Sequence, residues 1–374
     1  MSISPDGSGR PIRVGIVGCG EVSQIVHLPT LAQLAADFRV TALCDVSPTV
    51  LRVVGDAWGV EHRTDDFAAL VARDDVDAVL VANPNAFHAE VTLLAAAAGK
   101  HVLVEKPMAI TLREADAVIE AQRRHGVVVQ VGYMRRYAPA FVEAVRRVRD
   151  LGPVRLASVH DVIGQNALVT GQIASVVRGA DVPAEAIQAA RASEARLLDE
   201  AIGDVELDLR RTYGLLLGLS SHDVSAMREL LGRPQGVLYA AQRHGGSWIT
   251  AAFDYGSFVC HFETGVDTVP RYDTYLEAHG DQEVLRVRYQ TPYVRHLPTQ
   301  LEIVRGTDGG AGLAHESVQP SWADPFVEEW RAFAASIRTG APVKTSPADY
   351  REDLELFAAM MERLVATGAR SRTP

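Results

Sequence analysis

The chain has 374 residues, a hydrophobic content of 47%, a charged content of 22% and a formal net charge of −10. That length is too large for one ordinary core and argues for two domains in a soluble globular protein. The acidic balance, with no Lys/Arg-rich block, excludes a nucleic-acid surface.

Taken in order, residues 1–10 (MSISPDGSGR) are a loose polar arm with no apolar signal segment. An alternation of strands and helices begins at once. Ile12 to Val17 is a β-branched strand, followed by Gly18-Cys-Gly20-Glu21-Val22-Ser23 and a helical pattern through Leu34. This strand–glycine turn–helix order suits a dinucleotide. Gly18 makes the tight turn, Gly20 lets the backbone approach the pyrophosphate, and the helix start at Glu21 and Val22 offers amide donors. Ser23 stands at the third glycine position, which predicts slightly looser helix–strand packing. The next strand, Arg39 to Cys44, ends in Asp45. An acid there accepts hydrogen bonds from ribose hydroxyls and repels a 2′-phosphate, favouring NAD over NADP.

Further strand–helix units follow. Val76 to Ala82 is a buried strand ending in Asn83-Pro84-Asn85, with His88 opening the next helix, which stops at Gly99. Lys100 to Val104 leads into Glu105-Lys106-Pro107, an acid, a base and a rigid turn at a strand end. A lysine delivered there, partly desolvated, can exchange protons near neutral pH. Thr111 and Glu114 form a capping box, and Val127 to Val131 is another strand, before Gly132-Tyr133-Met-Arg135-Arg136-Tyr137. Strands alternating with helices mean a parallel sheet. His88-Ala-Glu90 matches half of a zinc deaminase signature, but no P-C-x-x-C follows and there is no H-E-x-x-H, so no catalytic metal is expected.

The order and spacing of Gly18-Cys-Gly20, Asn83-Pro-Asn85 with His88, Glu105-Lys106-Pro107 and Tyr133-Met-Arg-Arg-Tyr137-Ala-Pro139 resemble the Gfo/Idh/MocA oxidoreductases. The resemblance implies an α/β protein: an N-terminal Rossmann domain over 11–135 and a C-terminal α/β domain over 136–374 with a large, mostly antiparallel open sheet. It implies an NAD-dependent oxidoreductase acting on a sugar, inositol or related polyol, with Lys106 near the reacting carbinol. It also implies cofactor contacts at Asn83, Asn85, His88 and Glu105, and a cis bond before Pro107 as an open alternative.

In the second half, Val154 to Asp161 is the first strand of the second sheet. Residues 164–213 form an extra stretch, helical from Pro183 to Ala201, whose alternatives are a substrate lid, an oligomer contact or a plain surface helix. Gly214 to Gly232 resembles the family motif that carries a histidine, here His222. The family's polyol dehydrogenases have an aspartate four residues earlier, where this chain has Gly218. Asp223 and Asp161 are the open substitutes. Gly236 to Arg305 alternates apolar and polar residues as strands do, and two helices close the chain, one stopping before Gly340 and one capped by Ser346.

The expected chemistry is hydride transfer, with Lys106 as general acid/base assisted by His222. Tyr133, Arg135, His160 and Asp223 are candidate substrate contacts. The rival readings are an NAD-recycling glycoside hydrolase or lyase working through transient C3 oxidation, and a non-catalytic NAD-binding regulator. The resemblance also implies a homo-dimer or homo-tetramer through the C-terminal sheet. No run approaches the roughly 20 apolar residues of a membrane span. Three scattered cysteines, Cys19, Cys44 and Cys260, suit a cytoplasmic compartment.

Overall fold

In the computed structural model, which describes residues 10–371, the chain forms two compact units. The first holds the residues up to Tyr133 together with Ala174–Gly203 and Phe326–Leu354. The second holds Met134–Ile173, Asp204–Pro325 and the residues from Glu355 onward. This differs from a linear division into 11–135 and 136–374. The physical reason is apolar burial: Trp330 and Phe333 are fully buried in the core of the first unit, and Val177 packs against that core. The polar arm expected over residues 1–10 lies outside the described residues except for Arg10, whose guanidinium pairs with Asp77 at 2.7 Å.

The first unit is built on a six-stranded sheet of β1 (Ile12–Val17), β2 (Phe38–Cys44), β3 (His62–Thr64), β4 (Ala78–Val81), β5 (His101–Glu105) and β6 (Val129–Gly132). Every pairing is parallel and the spatial order is β3-β2-β1-β4-β5-β6. All of β4 and Val102–Val104 of β5 are buried, so their unbroken apolar runs fit strands covered on both faces. The order reverses between β1 and β4. Such a switch point opens a ligand crevice at the carboxyl ends of the strands. Thr111 and Glu114 form the expected capping box on the helix Leu112–His125. The helix Pro48–Trp58 is capped by Ser47, whose Oγ accepts from Val50 N at 3.1 Å.

The second unit carries β7 (Leu156–Gly164), β8 (Gly236–Arg243), β9 (Trp248–Asp254), β10 (Val259–Asp267), β11 (Tyr272–His279), β12 (Glu283–Tyr289), β13 (Gln300–Thr307) and β14 (Gly312–Val318). The order is β14-β13-β12-β11-β7-β10-β9-β8. The β7–β10 pair is parallel and the other neighbours are antiparallel. Along β11, Thr274, Leu276 and Ala278 are buried and their neighbours are not, the alternation of a sheet with one covered face. The alternation of apolar and polar residues predicts strands only as far as Arg305. The structure adds β14, reached through a short turn at Asp308–Gly310.

The stretch expected as one helical insertion over 164–213 is three helices, Asn166–Ile173, Ala184–Ile202 and Leu207–Leu215. The middle one belongs to the first unit and the outer two to the second. The closing helices are Pro325–Thr339 and Pro347–Ser371, the latter with Asp349 N donating to Ser346 Oγ at 3.2 Å. Among the described residues, no helix is long and apolar enough to cross a membrane.

Candidate active site

The turn after β1 is shaped by what cannot fit there. Gly18 has a φ of +94°, and a Cβ on it would stand 2.3 Å from the Ala82 carbonyl oxygen. A side chain is excluded on both counts. A Cβ on Gly20 would meet nothing within 4 Å, so open space lies above the backbone where a pyrophosphate would approach. Ser23 stands at the third glycine position. It is fully buried and its hydroxyl donates to Gly18 O at 2.6 Å, closing the loop onto the helix. The helix opens with a π-helical turn, Ser23–His27.

Asp45 follows β2 and braces the glycine turn. Its Oδ2 accepts from Cys19 N at 2.9 Å, and its Oδ1 accepts from Ser47 N at 2.9 Å. Each carboxylate oxygen keeps a second lone pair, so the group can still accept from a ribose hydroxyl.

After β4, Asn83 turns its Oδ1 into the interior, buried and with no hydrogen-bond partner among the described residues. Asn85 is exposed and opens a single turn, Asn85–Phe87. His88, fully buried, bridges this loop to the next one: Nδ1 lies 2.8 Å from Pro107 O and Nε2 lies 2.7 Å from Asn83 O. Burial pushes His88 below the ordinary imidazole pKa, while the two carbonyls pull the other way. A neutral ring can donate to only one of the two carbonyls. His88 therefore joins the Asn83 loop to the Lys106–Pro107 turn. The Lys106–Pro107 bond is cis.

Glu105, expected as a cofactor contact, is engaged inside the first unit. Its Oε1 accepts from His27 Nε2 at 2.8 Å, and its Oε2 accepts from Lys106 N at 3.2 Å. Burial opposes its charge, yet the His27 bond and the nearby Lys106 hold its pKa below the usual glutamate value. Lys106 itself is half-buried at the end of β5. His27 and Trp330, whose Nε1 donates to His27 Nδ1 at 3.1 Å, were not singled out by sequence. A histidine within a helix and a tryptophan some 300 residues later leave no local signal.

The candidate substrate contacts separate into different environments. Tyr133 is fully buried and its hydroxyl donates to Asp353 Oδ2 at 2.8 Å. Arg135 lies in the interior of the second unit, donating to Asp161 at 3.2 Å, to Asp223 at 2.5 Å and to the Tyr272 hydroxyl at 2.5 Å. Its guanidinium also lies over the Tyr289 ring, 5.2 Å from the centroid. Burial, with the neighbouring Asp161 as a lesser cause, pushes Asp223 well above the usual carboxylate range despite the Arg135 charge. Arg135, Asp161, Asp223 and Tyr272 form one polar cluster, in which Arg135 Nε and Asp223 Oδ2 are buried with no hydrogen-bond partner among the described residues.

His160 points to the opposite face of β7 from Asp161. It stacks on Tyr275 with centroids 5.1 Å apart and lies 3.1 Å from Glu263. His222 sits, 7% exposed, on the helix Ser221–Leu231, which is entered through a π-helical turn, Leu216–Ser220. Gly218 lies in that turn, where a Cβ would meet open space. The two carboxylates left open as substitutes for its missing aspartate, Asp161 and Asp223, are both committed to Arg135.

Among the described residues, no group of three or more His, Cys, Asp or Glu could hold a metal ion. Residues 12–133 match the family described as an oxidoreductase family with an NAD-binding Rossmann fold. The uncharacterized oxidoreductase YrbE of Bacillus subtilis is 32% identical over 132 residues, 35% of this chain and 38% of its own length. The chain thus spans under half of that relative. The inositol 2-dehydrogenase of Rhizobium meliloti is 26% identical over 349 residues, covering 90% of this chain and 92% of its own. In three dimensions, the aldose-aldose oxidoreductase of Caulobacter crescentus superposes with a TM-score of 0.72 at 22% identity, over 96% of this chain and 98% of that one. That likeness is one of fold.

Proposed function

Since residues 12–133 place the chain in the Gfo/Idh/MocA oxidoreductase family, we propose that it is an NAD-dependent dehydrogenase or reductase of a secondary carbinol. The substrate class is a sugar, an inositol or a related polyol, in keeping with a full-length relative named inositol 2-dehydrogenase. The observation that carries this reading is the row of strand ends in the first unit. Gly18 and Gly20 after β1, Asp45 after β2, Asn83 after β4 and Lys106 after β5 all stand at the carboxyl edge of one parallel sheet.

The residues present fit a dinucleotide. Space above Gly20 admits a pyrophosphate, and the buried Asn83 Oδ1 has an unused acceptor. Asp45 accepts from the adenosine ribose hydroxyls, which favours NAD over NADP. Bound NAD⁺ supplies the hydride acceptor. Lys106 Nζ takes the proton of the carbinol hydroxyl, with His222 as its helper, and returns it in the reverse direction. Glu105 and His88 act behind Lys106: one accepts from its backbone N–H and the other holds the Pro107 carbonyl.

The same reading has the chain work in the cytoplasm as a homo-dimer or homo-tetramer through the eight-stranded sheet. Arg286 and Arg288 lie over the Tyr275 ring there, 5.0 and 5.9 Å from its centroid, on a partly exposed face. Light scattering of the purified protein reads that state.

The deciding experiment is an NADH-fluorescence screen of the purified chain against sugars and inositols, run beside Lys106→Ala. The expected result is turnover on at least one polyol. In the variant, turnover falls about a hundredfold or more while NAD affinity stays within a few fold. Normal oxidation by Lys106→Ala would sink the assignment.

A further inference from the structure

Residues 177–181, within the stretch 164–213, run along the edge of the candidate nucleotide site within the first unit. Gln24, in the first turn after the glycines, clamps the backbone of Val177. Its Nε2 donates to Val177 O at 2.9 Å and its Oε1 accepts from Val177 N at 2.9 Å. Arg178 pairs with Glu21, the residue after Gly20. Gly179 then passes so close to Ser47 that a Cβ would stand 2.1 Å from Ser47 Oγ. Only glycine permits that approach.

The strap ends on an anion. Asp181 Oδ1 accepts from Ser47 Oγ at 2.5 Å, and Asp181 Oδ2 accepts from Thr49 N at 2.9 Å. Both donors belong to the start of the helix Pro48–Trp58, two to four residues past Asp45. A helix start with a free hydroxyl and a free backbone N–H is where a phosphate would be held. Beside the ribose-binding acid of a dinucleotide site, the phosphate to be held is the 2′-phosphate of NADP.

We propose that Asp181 is a built-in occupant of the 2′-phosphate position, and that it sets specificity for NAD by filling those donors and repelling a second anion. This rests on the dinucleotide reading above and adds a second determinant to Asp45. The two carboxylates act differently. Asp45 can accept from a ribose hydroxyl, whereas Asp181 is spent on Ser47 and Thr49 and serves as an internal substitute for the phosphate. Asp181 is exposed, and its hydrogen bonds hold its pKa down to about 2, so it carries its charge throughout the neutral range.

The test is the binding of NAD⁺ and NADP⁺, followed by titration calorimetry, to the native chain and to Asp181→Asn and Asp181→Ala. Asn keeps the shape and removes the charge; Ala removes both and frees Ser47 and Thr49. The native chain should bind NAD⁺ and discriminate against NADP⁺. Asp181→Ala should gain roughly tenfold or more in NADP⁺ affinity, with NAD⁺ affinity within a few fold, because one like charge near the phosphate is gone and two donors are released. Asp181→Asn should gain less than Ala. Gly179→Ala, which displaces the strap without touching a charge, should move NADP⁺ affinity in the same direction. A merely structural strap would weaken both nucleotides together. NAD⁺ binding with NADP⁺ exclusion unchanged in Asp181→Ala overturns this inference alone, as does preference of the native chain for NADP⁺. Binding of neither nucleotide overturns the dinucleotide reading and this inference with it.

Discussion

Trp330 Nε1 donates to His27 Nδ1 across 3.1 Å. An indole nitrogen can only donate, so Nδ1 must accept and the ring proton resides on Nε2. That proton faces Glu105 Oε1 at 2.8 Å. A tryptophan from the helix Pro325–Thr339 thereby sets the tautomer that holds the acid next to Lys106.

Trp330→Phe keeps the ring packing against Phe38 and Phe333 but removes the donor. It should cost about 1–3 kcal/mol, read from urea denaturation. An unchanged midpoint would show that the contact contributes nothing.

Glu105 also predicts a pH dependence. Its folded pKa lies below the unfolded value, so its contribution is complete above about pH 4.3 and is lost as pH falls through the folded value. Native stability should therefore drop on acidification more steeply than that of Glu105→Gln. Parallel pH profiles for the two proteins would refute this.

In the second unit, one guanidinium faces two carboxylates with no solvent. Arg135→Met should cost about 3–5 kcal/mol by leaving those acids unpaired. Asp223→Asn imitates the protonated acid that burial favours, and should stay within about 1.5 kcal/mol. Asp161→Asn should cost more than Asp223→Asn, because Asp161 also accepts from Thr274 Oγ1 at 2.6 Å. Thermal melts that reverse this order would refute the prediction.

Gly18→Ala places a Cβ 2.3 Å from Ala82 O on a backbone of positive φ. It should lower stability by about 2 kcal/mol and weaken NAD binding as the turn is pushed off β4. A variant with native NAD affinity would mean that the turn does not cradle the nucleotide.

Asp45→Ala removes the acceptor of Cys19 N and Ser47 N as well as the acid offered to the ribose. NAD affinity should fall about tenfold and discrimination against NADP should narrow. Unchanged discrimination would leave the whole of it to Asp181.

The parallel sheet, the glycine turn, the position of Asp45 and the turn at Lys106 are legible in the chain, because each is written in consecutive residues. A β-branched run, a glycine pair and a strand-end acid need only local geometry to be read. The sheet of the second unit is legible in the same way up to Arg305, through its alternation, whereas β14 lies beyond the Asp308–Gly310 turn that interrupts it. Tertiary structure alone decided which polar residues are used inside the protein. Tyr133 is matched to Asp353, Arg135 to Asp161 and Asp223, and His160 faces away from both acids, since pairing across tens to hundreds of residues leaves no periodic trace. It also decided where the inserted stretch goes: a glycine at 179 fits against Ser47 and an aspartate at 181 satisfies a helix start. Lys106 could be found from its neighbours in sequence, whereas the support behind it, from His27, Trp330 and His88, exists only once the chain has folded.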